Sequence, residues 1–248
     1  VTNLIKSIEH SLSQLFDSAF LKVFILGMIT TLAALVAAYF AGKQLIPYLP
    51  GEQMFEWQWL QDIVDGIRSW LVEFLLIFAV MFFFAPISMV FMTLYLDDIV
   101  DAVEDKHYSF RLAGKRLGLG RLAYLGVRLA FMMLLLNILV IPFYVIFFWT
   151  GFIPLVIFYG LNSYLLGWGY YEMVAVRHLG VRKAGRHRKS IRGQVLFGGL
   201  VITLLYSVPF VNLVAPILGA AMLTHLFHLS MTERDEMEAV ALRGEGRS

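Results

Sequence analysis

The chain has no cysteine. That excludes disulfides, thiolate catalysis and cysteine-ligated metal centres, and leaves the redox compartment unmarked. Charge is scarce: Asp, Glu, Lys and Arg make up 15% of the 248 residues, against 59% hydrophobic ones, far from the soluble average. Acid is scarcer still in the C-terminal half. From Lys106 to Thr232 there are thirteen Lys and Arg residues and a single carboxylate, Glu172. No internal repeat, low-complexity tract, phosphate loop, nucleotide fingerprint or Ser-His-Asp order is present. Residues 1–19 are polar-amphipathic and lack the short apolar run and small-residue cleavage site of a signal peptide. A chain that opens on Val1 rather than Met is expected to be trimmed or incomplete at that end. The composition predicts one compact membrane domain, residues 1–232, followed by a polar tail, 233–248, with no room for a separate soluble domain.

What is abundant is apolar sequence in blocks. Phe20–Phe40 is long enough to span a membrane and carries Lys22 near its start. Ser69–Phe91 is the second expected span, with Glu73 near its beginning. Between them, 41–68 is a polar connector with Pro47, Pro50, Gly51, Glu52, Glu56, Asp62 and Asp65. Met92–Tyr108 keeps a helical pattern but turns acidic, and Ser109–Arg121 is a basic loop. Leu122–Trp149 and Phe152–Val176 form an apolar pair broken at Pro142, Gly151 and Pro154. Its length fits either two full spans or a pair that enters and returns. Val195–His228 is different. Pro209 and Pro216 bracket Phe210–Ala215, and the arm Val195–Val208 would be only about 21 Å long as a helix, against a hydrocarbon core of about 30 Å. The pattern predicts two half-crossing arms joined by a turn inside the membrane. Irregular backbone survives at that depth only where protein or water satisfies it.

Basic residues orient this map. The connector 41–68 holds Lys43 and Arg68 alone, whereas 177–192 holds Arg177, Arg182, Lys183, Arg186, Arg188, Lys189 and Arg192. The expected topology puts 41–68 outside and the other loops and both termini in the cytoplasm. Most of these cations read as the positive-inside rule and contact with anionic lipid, while together they favour anions by field. Arg128, inside an apolar block, either faces protein, water or a partner or snorkels to the headgroups. Glu172 is its natural partner. Asn137, Asn162 and Asn212 need partners too, either across helices or, for Asn212 at the hairpin tip, as a cap on the second arm or a lining of a passage. Asp98-x-x-Asp101-x-x-x-Asp105 resembles the first aspartate-rich motif of membrane prenyltransferases, but no Asp follows until Asp235, so the second motif is missing. His225 and His228 share a helix face without a carboxylate or third histidine near them in sequence. No metal and no cofactor is therefore expected.

Three stretches taken in order resemble the CysZ-type bacterial sulfate permeases, a broad family with a eukaryotic endoplasmic-reticulum relative. They are Ala85-Pro86 ahead of Asp98-x-x-Asp101-x-x-Glu104, Tyr171-Glu172 ahead of the basic segment at Arg177, and Pro209-Phe-Val-Asn212-Leu-Val-Ala-Pro216 followed by Gly219-Ala-Ala. They cover about residues 12–228. The resemblance implies an all-α inner-membrane protein with two long spans and partly inserted helical hairpins, which admits sulfate for cysteine biosynthesis and assembles as a dimer or larger oligomer. It also implies an anion site at the start of the first span, where the family has a glycine, an apolar residue and arginine. Here that stretch reads Ser18-Ala19-Phe20-Leu21-Lys22. Lys22 is its only cation, a point charge in place of a planar fork.

The sequence thus predicts an all-α integral membrane protein of the bacterial inner membrane, multi-pass, that conducts sulfate or a related oxyanion and is not an enzyme. The candidate anion-binding residues are Ser18, Ala19, Phe20, Leu21 and Lys22; Arg128, Glu172 and Asn212 are candidate pore or structural polar groups. Expected partners are the oxyanion, the lipid bilayer and further copies of the chain, and no nucleic acid. One alternative is a non-transporting scaffold or lipid-interacting protein of the same fold. A more distant one is an enzyme with magnesium at Asp98, Asp101 and Asp105.

Overall fold

The computed structural model describes residues 2–45, 57–109, 111 and 119–232, with side chains at a number of positions in 81–94 and 119–130 left aside. Expectations for Pro47–Glu56, for the basic residues within 112–118 and for the tail 233–248 fall outside the described residues. Within them the chain is all helix: α1 (Thr2–Ser13), α2 (Ser18–Leu45), α3 (Gln58–Leu94), α4 (Leu96–His107), α5 (Leu119–Ile146), α6 (Phe152–Ser190), α7 (Arg192–Ser207) and α8 (Ala215–Ser230). Two helices among them are long and apolar enough to cross a membrane, Ser18–Gln44 and Phe152–Ser190. The first contains the expected span Phe20–Phe40. The other expected span, Ser69–Phe91, lies within the continuous 37-residue α3.

Contacts divide the chain into two units, Val1–Val23 with Tyr95–Ser248, and Phe24–Leu94. In the second unit, Glu73 of α3 takes two polar contacts from α2. Lys43 Nζ lies 3.2 Å from Glu73, and the Tyr39 hydroxyl donates to the same carboxylate. Gly42 faces the Leu76 side chain there.

The first unit is built around α8. Every residue from Ala215 to His228 is buried, because α1, α4, α6 and α7 all pack on it. At about 1.5 Å per residue, sixteen residues reach about 24 Å. α1 covers α8 with a narrow face of Leu4, Ser7 and Ser11. α4 turns Leu96, Ile99, Val100 and Val103 inward and leaves Asp98 and Asp105 exposed. That is the period of an amphipathic helix with one apolar stripe.

The expected broken hairpin is α7 and α8, which pack on one another. Val208 is extended (ψ 119), as the residue before a proline must be. Phe210 takes φ 65, a short 3-10 turn covers Val211–Leu213, and Pro216 sits in the first turn of α8. Pro fits there because that N–H has no intrahelical acceptor. α8 has no side-chain cap, so Asn212 does not fill the capping role considered for it. α5 and α6 form a second hairpin, turned by Phe148–Thr150 and by Gly151 at φ 67, with Thr150 Oγ1 accepting from Ile153 N–H at 3.3 Å. α6 bends at Gly180, whose φ of 69 and ψ of 165 suit a residue without Cβ.

α6 and α7 approach almost backbone to backbone. A Cβ on Gly199 would run into the Ser163 carbonyl oxygen and the Gly167 nitrogen, and one on Gly167 into the Val195 carbonyl. Ser163 and Gly167 on one helix and Val195 and Gly199 on the other are each four apart. Ser163-xxx-Gly167 is the small-xxx-small pattern that lets membrane helices approach closely, and Gly199 supplies the small residue opposite it.

Candidate functional site

The candidate anion segment opens α2. Its first-turn N–H groups lack intrahelical acceptors, and a positive dipole end lies there. A cavity of about 290 Å³ is lined by Asp17, Ser18, Ala19, Phe20, Ala102 and Lys106. Three of the five candidate residues, Ser18, Ala19 and Phe20, therefore line it. Leu21 and Lys22 are exposed and do not. The cation at the cavity is Lys106 of α4, whose Nζ sits 2.6 Å from the Asp17 carboxylate. Lys106 is 84 positions from Lys22, and only the docking of α4 beside the start of α2 brings it there.

Arg128 and Glu172 do pair. Arg128 Nη1 donates to Glu172 Oε1 at 3.1 Å, and the Trp168 indole N–H donates to the other carboxylate oxygen. Arg128 and Arg188 both stand over the Trp168 ring, at 5.5 and 4.8 Å. The side chain of Arg128 is 41% exposed, so the pair lies at the rim of the helix bundle. Among the described residues, Asn137 and Asn162 bond along their own helices. Each donates 2.8 Å back to the carbonyl four residues earlier, Met133 and Phe158, as short polar side chains in helices do. Asn212 is half-buried at the tip.

The most polar interior of the first unit was not anticipated. It lies where α4, α6 and α8 meet. Arg177, with a side chain only 2% exposed, donates to Asp101 and has Asp97 at 3.7 Å. One turn along α4, Glu104 Oε1 accepts from His178 Nε2 at 2.8 Å and lies 3.4 Å from His228 Nε2. Burial alone would raise the Glu104 carboxyl. The hydrogen bonds from His178 and His228 and the charge of Arg177 outweigh it and hold the group well below the usual carboxylate range. Arg111 donates to the His228 carbonyl at 2.5 Å, and the Tyr108 ring stacks on His228 at 4.2 Å.

Beside this lies a second set. Tyr108 Oη is 2.9 Å from His225 Nδ1, and His225 Nε2 is 3.0 Å from Gln14 Oε1. Gln14 Oε1 only accepts, so Nε2 carries the proton and Nδ1 accepts from the tyrosine, which is the pattern of a neutral imidazole. His10 and His107 crowd the same ring at centroid distances of 5.2 Å.

This arrangement answers two sequence readings. The acidic face of α4 is the grip on Arg177: Asp101, one of the three residues weighed as a magnesium motif, is occupied by a guanidinium. His225 and His228 had no carboxylate near them in sequence, but Glu104, 124 positions away, reaches His228 in space. The i, i+3 spacing of the two histidines was the only local signal of this interior. Glu104 was one acid among five on its helix, and Arg177 and His178 were hidden in a run that reads as positive-inside.

No curated protein and no solved structure matches the chain. The family described as Sulfate transporter CysZ/Etoposide-induced protein 2.4 matches residues 7–216, most of the 248. With its long apolar helices and this match, the chain is a membrane protein that belongs to the sulfate transporter CysZ/etoposide-induced protein 2.4 family.

Proposed function

We propose that the chain conducts sulfate or a closely related oxyanion across the bacterial inner membrane, supplying sulfate assimilation and cysteine biosynthesis, and that it works as a homo-oligomer. The observation that carries this reading is the cavity at the start of α2, in a chain of a sulfate transporter family. Free N–H groups at a helix N-terminus beside a cation suit a dianion. The cation of the site is Lys106, and Asp17 is paired with it. Sulfate must displace that carboxylate, which makes Asp17 the competitor for the site.

Sulfate binding and flux in proteoliposomes test this, with chloride and phosphate as competitors. Asp17→Asn frees Lys106 and is expected to tighten sulfate binding at least about tenfold, the lower end of the range for one charge-assisted hydrogen bond. Lys106→Ala should weaken it by a similar factor or more, and Lys22→Ala by less, since Lys22 lies off the cavity. Sulfate flux unchanged in both lysine variants would remove the start of α2 from the mechanism. The Asp17–Lys106 pair is also the observation that favours the non-transporting scaffold, because a neutralised cation needs no anion. Wild-type flux no faster than in protein-free liposomes would decide for that scaffold.

The partly inserted hairpins belong to the same proposal. Both hairpin tips are apolar and bare: Trp149 is 90% exposed and Phe210 85%. The other ends of these helices carry Arg177, His187, Arg188 and Arg192. A polar end and an apolar end suit entry from one side. From Glu172 to Phe152, α6 reaches about 30 Å, whereas α7 reaches about 24 Å. On this reading the α7–α8 hairpin stops short of the far surface. The chain has no cysteine of its own, so single cysteines at Gln194 and Leu229 report cleanly. Both are expected to label from the cytoplasmic side only, and labelling of the two from opposite sides would mean that 195–228 crosses as one kinked span. Ser190→Cys labelled from outside intact cells would overturn the orientation itself.

A further inference from the structure

We propose that Glu104, His178 and His228 form a binding site for one divalent transition-metal ion of the zinc class. One ligand atom from each lies within 4.8 Å of the others, and Glu104 Oε1 faces the Nε2 of both histidines. In a tetrahedral zinc site with bonds of about 2.0–2.1 Å, ligand atoms stand about 3.3 Å apart. The His228–Glu104 edge is 3.4 Å and the His178–Glu104 edge 2.8 Å. Of the three edges one already has the required length, the second needs to open by about half an ångström, and the third, between the two histidines, lies within 4.8 Å and closes toward that length as the ion binds. Two imidazoles and one carboxylate are ligands that suit zinc.

The three residues come from α6, α4 and α8 and are all buried, so the helices rather than flexible loops hold the triangle. Contacts behind the ligands fix their rings. Tyr108 stacks on His228, Arg111 grips the His228 carbonyl, and Phe227 packs on His178 at 5.1 Å. Such outer contacts orient metal-binding histidines. Loading has a defined proton account. Each Nε2 that faces Glu104 must be free of its proton, so each neutral imidazole carries its proton on Nδ1. For His228 that places an N–H toward Arg111 Nη1, now 3.4 Å away. The guanidinium must withdraw from the ring edge while it keeps its 2.5 Å bond to the carbonyl. Three protein ligands leave the fourth position to water or a small anion. The ion would clamp α8 to α4 and α6, and this proposal does not rest on which anion the chain conducts.

The test uses the full chain in detergent, stripped with a chelator and dialysed. Zinc is followed by calorimetry and cobalt(II) by its visible absorption. The expected result is one ion per chain, a tetrahedral cobalt spectrum and a melting temperature that rises with zinc, as mass action requires. His178→Gln and His228→Gln should each weaken zinc by more than about a hundredfold, beyond the loss from an outer contact. His187→Gln, on the same side of the unit but outside the triangle, should leave affinity unchanged. X-ray absorption on zinc-loaded wild type, expected to show two imidazoles and one or two oxygens, decides the matter if a variant fails to fold. Absence of stoichiometric zinc in wild type, or zinc binding unmoved by both ligand variants, would overturn the site and leave the triangle as a hydrogen-bonded lock.

Discussion

Arg177→Met should lower the unfolding free energy by about 3 kcal/mol, the lower end of the range for removing one partner of a buried ion pair. The arginine side chain is 2% exposed and that of Asp101 is 31%. Methionine fills most of the volume, so the loss is electrostatic rather than a cavity. Asp101 and Asp97 would be left facing an apolar side chain, and their partial exposure keeps the cost from rising further. Glu104 would also lose one of the charges that hold its carboxyl ionised. Arg177→Lys should recover only part of the stability, because an ammonium cannot span two carboxylates as a guanidinium fork does. Denaturation followed by tryptophan fluorescence, in wild type, Arg177→Met, Asp101→Asn and the double variant, measures the coupling, expected at about 1–3 kcal/mol. Coupling near zero would mean that Arg177 stabilises the bundle without Asp101.

Gly199→Val should cost about 3 kcal/mol or prevent assembly of the hairpins, the upper range for overpacking. The reason is backbone, not side chain. The new Cβ would meet the Ser163 carbonyl oxygen and the Gly167 nitrogen, and neither can rotate aside. α6 and α7 would have to separate, and α8 packs on both. Gly185→Ala is the control. Nothing lies within 4 Å of a Cβ there, so the higher helix propensity of alanine should be neutral or stabilise by up to about 1 kcal/mol. The same denaturation measurement reads both. A Gly199→Val protein as stable as wild type would show that the two helices do not meet at this point.

Local pattern decided much of this protein. The apolar blocks, the acidic face of α4 and the prolines at 209 and 216 act over a few residues. A missing N–H, a fixed φ or a stripe every three to four positions is felt by the neighbouring chain wherever the helix later packs. That is why the span from Phe20, the break at Phe210–Ala215 and the family could be read without coordinates. The pairing of Arg128 with Glu172 was readable for another reason: the region holds a single acid, so there was only one partner to choose. Tertiary structure decided what depends on distance across helices. Lys22 is exposed and is not among the residues that line the cavity at Ser18–Phe20, where Lys106 arrives from α4. Asn137 and Asn162 turned back on their own helices because a carbonyl four residues away is always within reach. Glu104, His178 and His228 are separated by 74 and 50 positions, and nothing in their neighbours marks them. Buried charge is costly unless paired, so these groups had to meet, but which ones met was settled only by how α4 and α6 pack around α8.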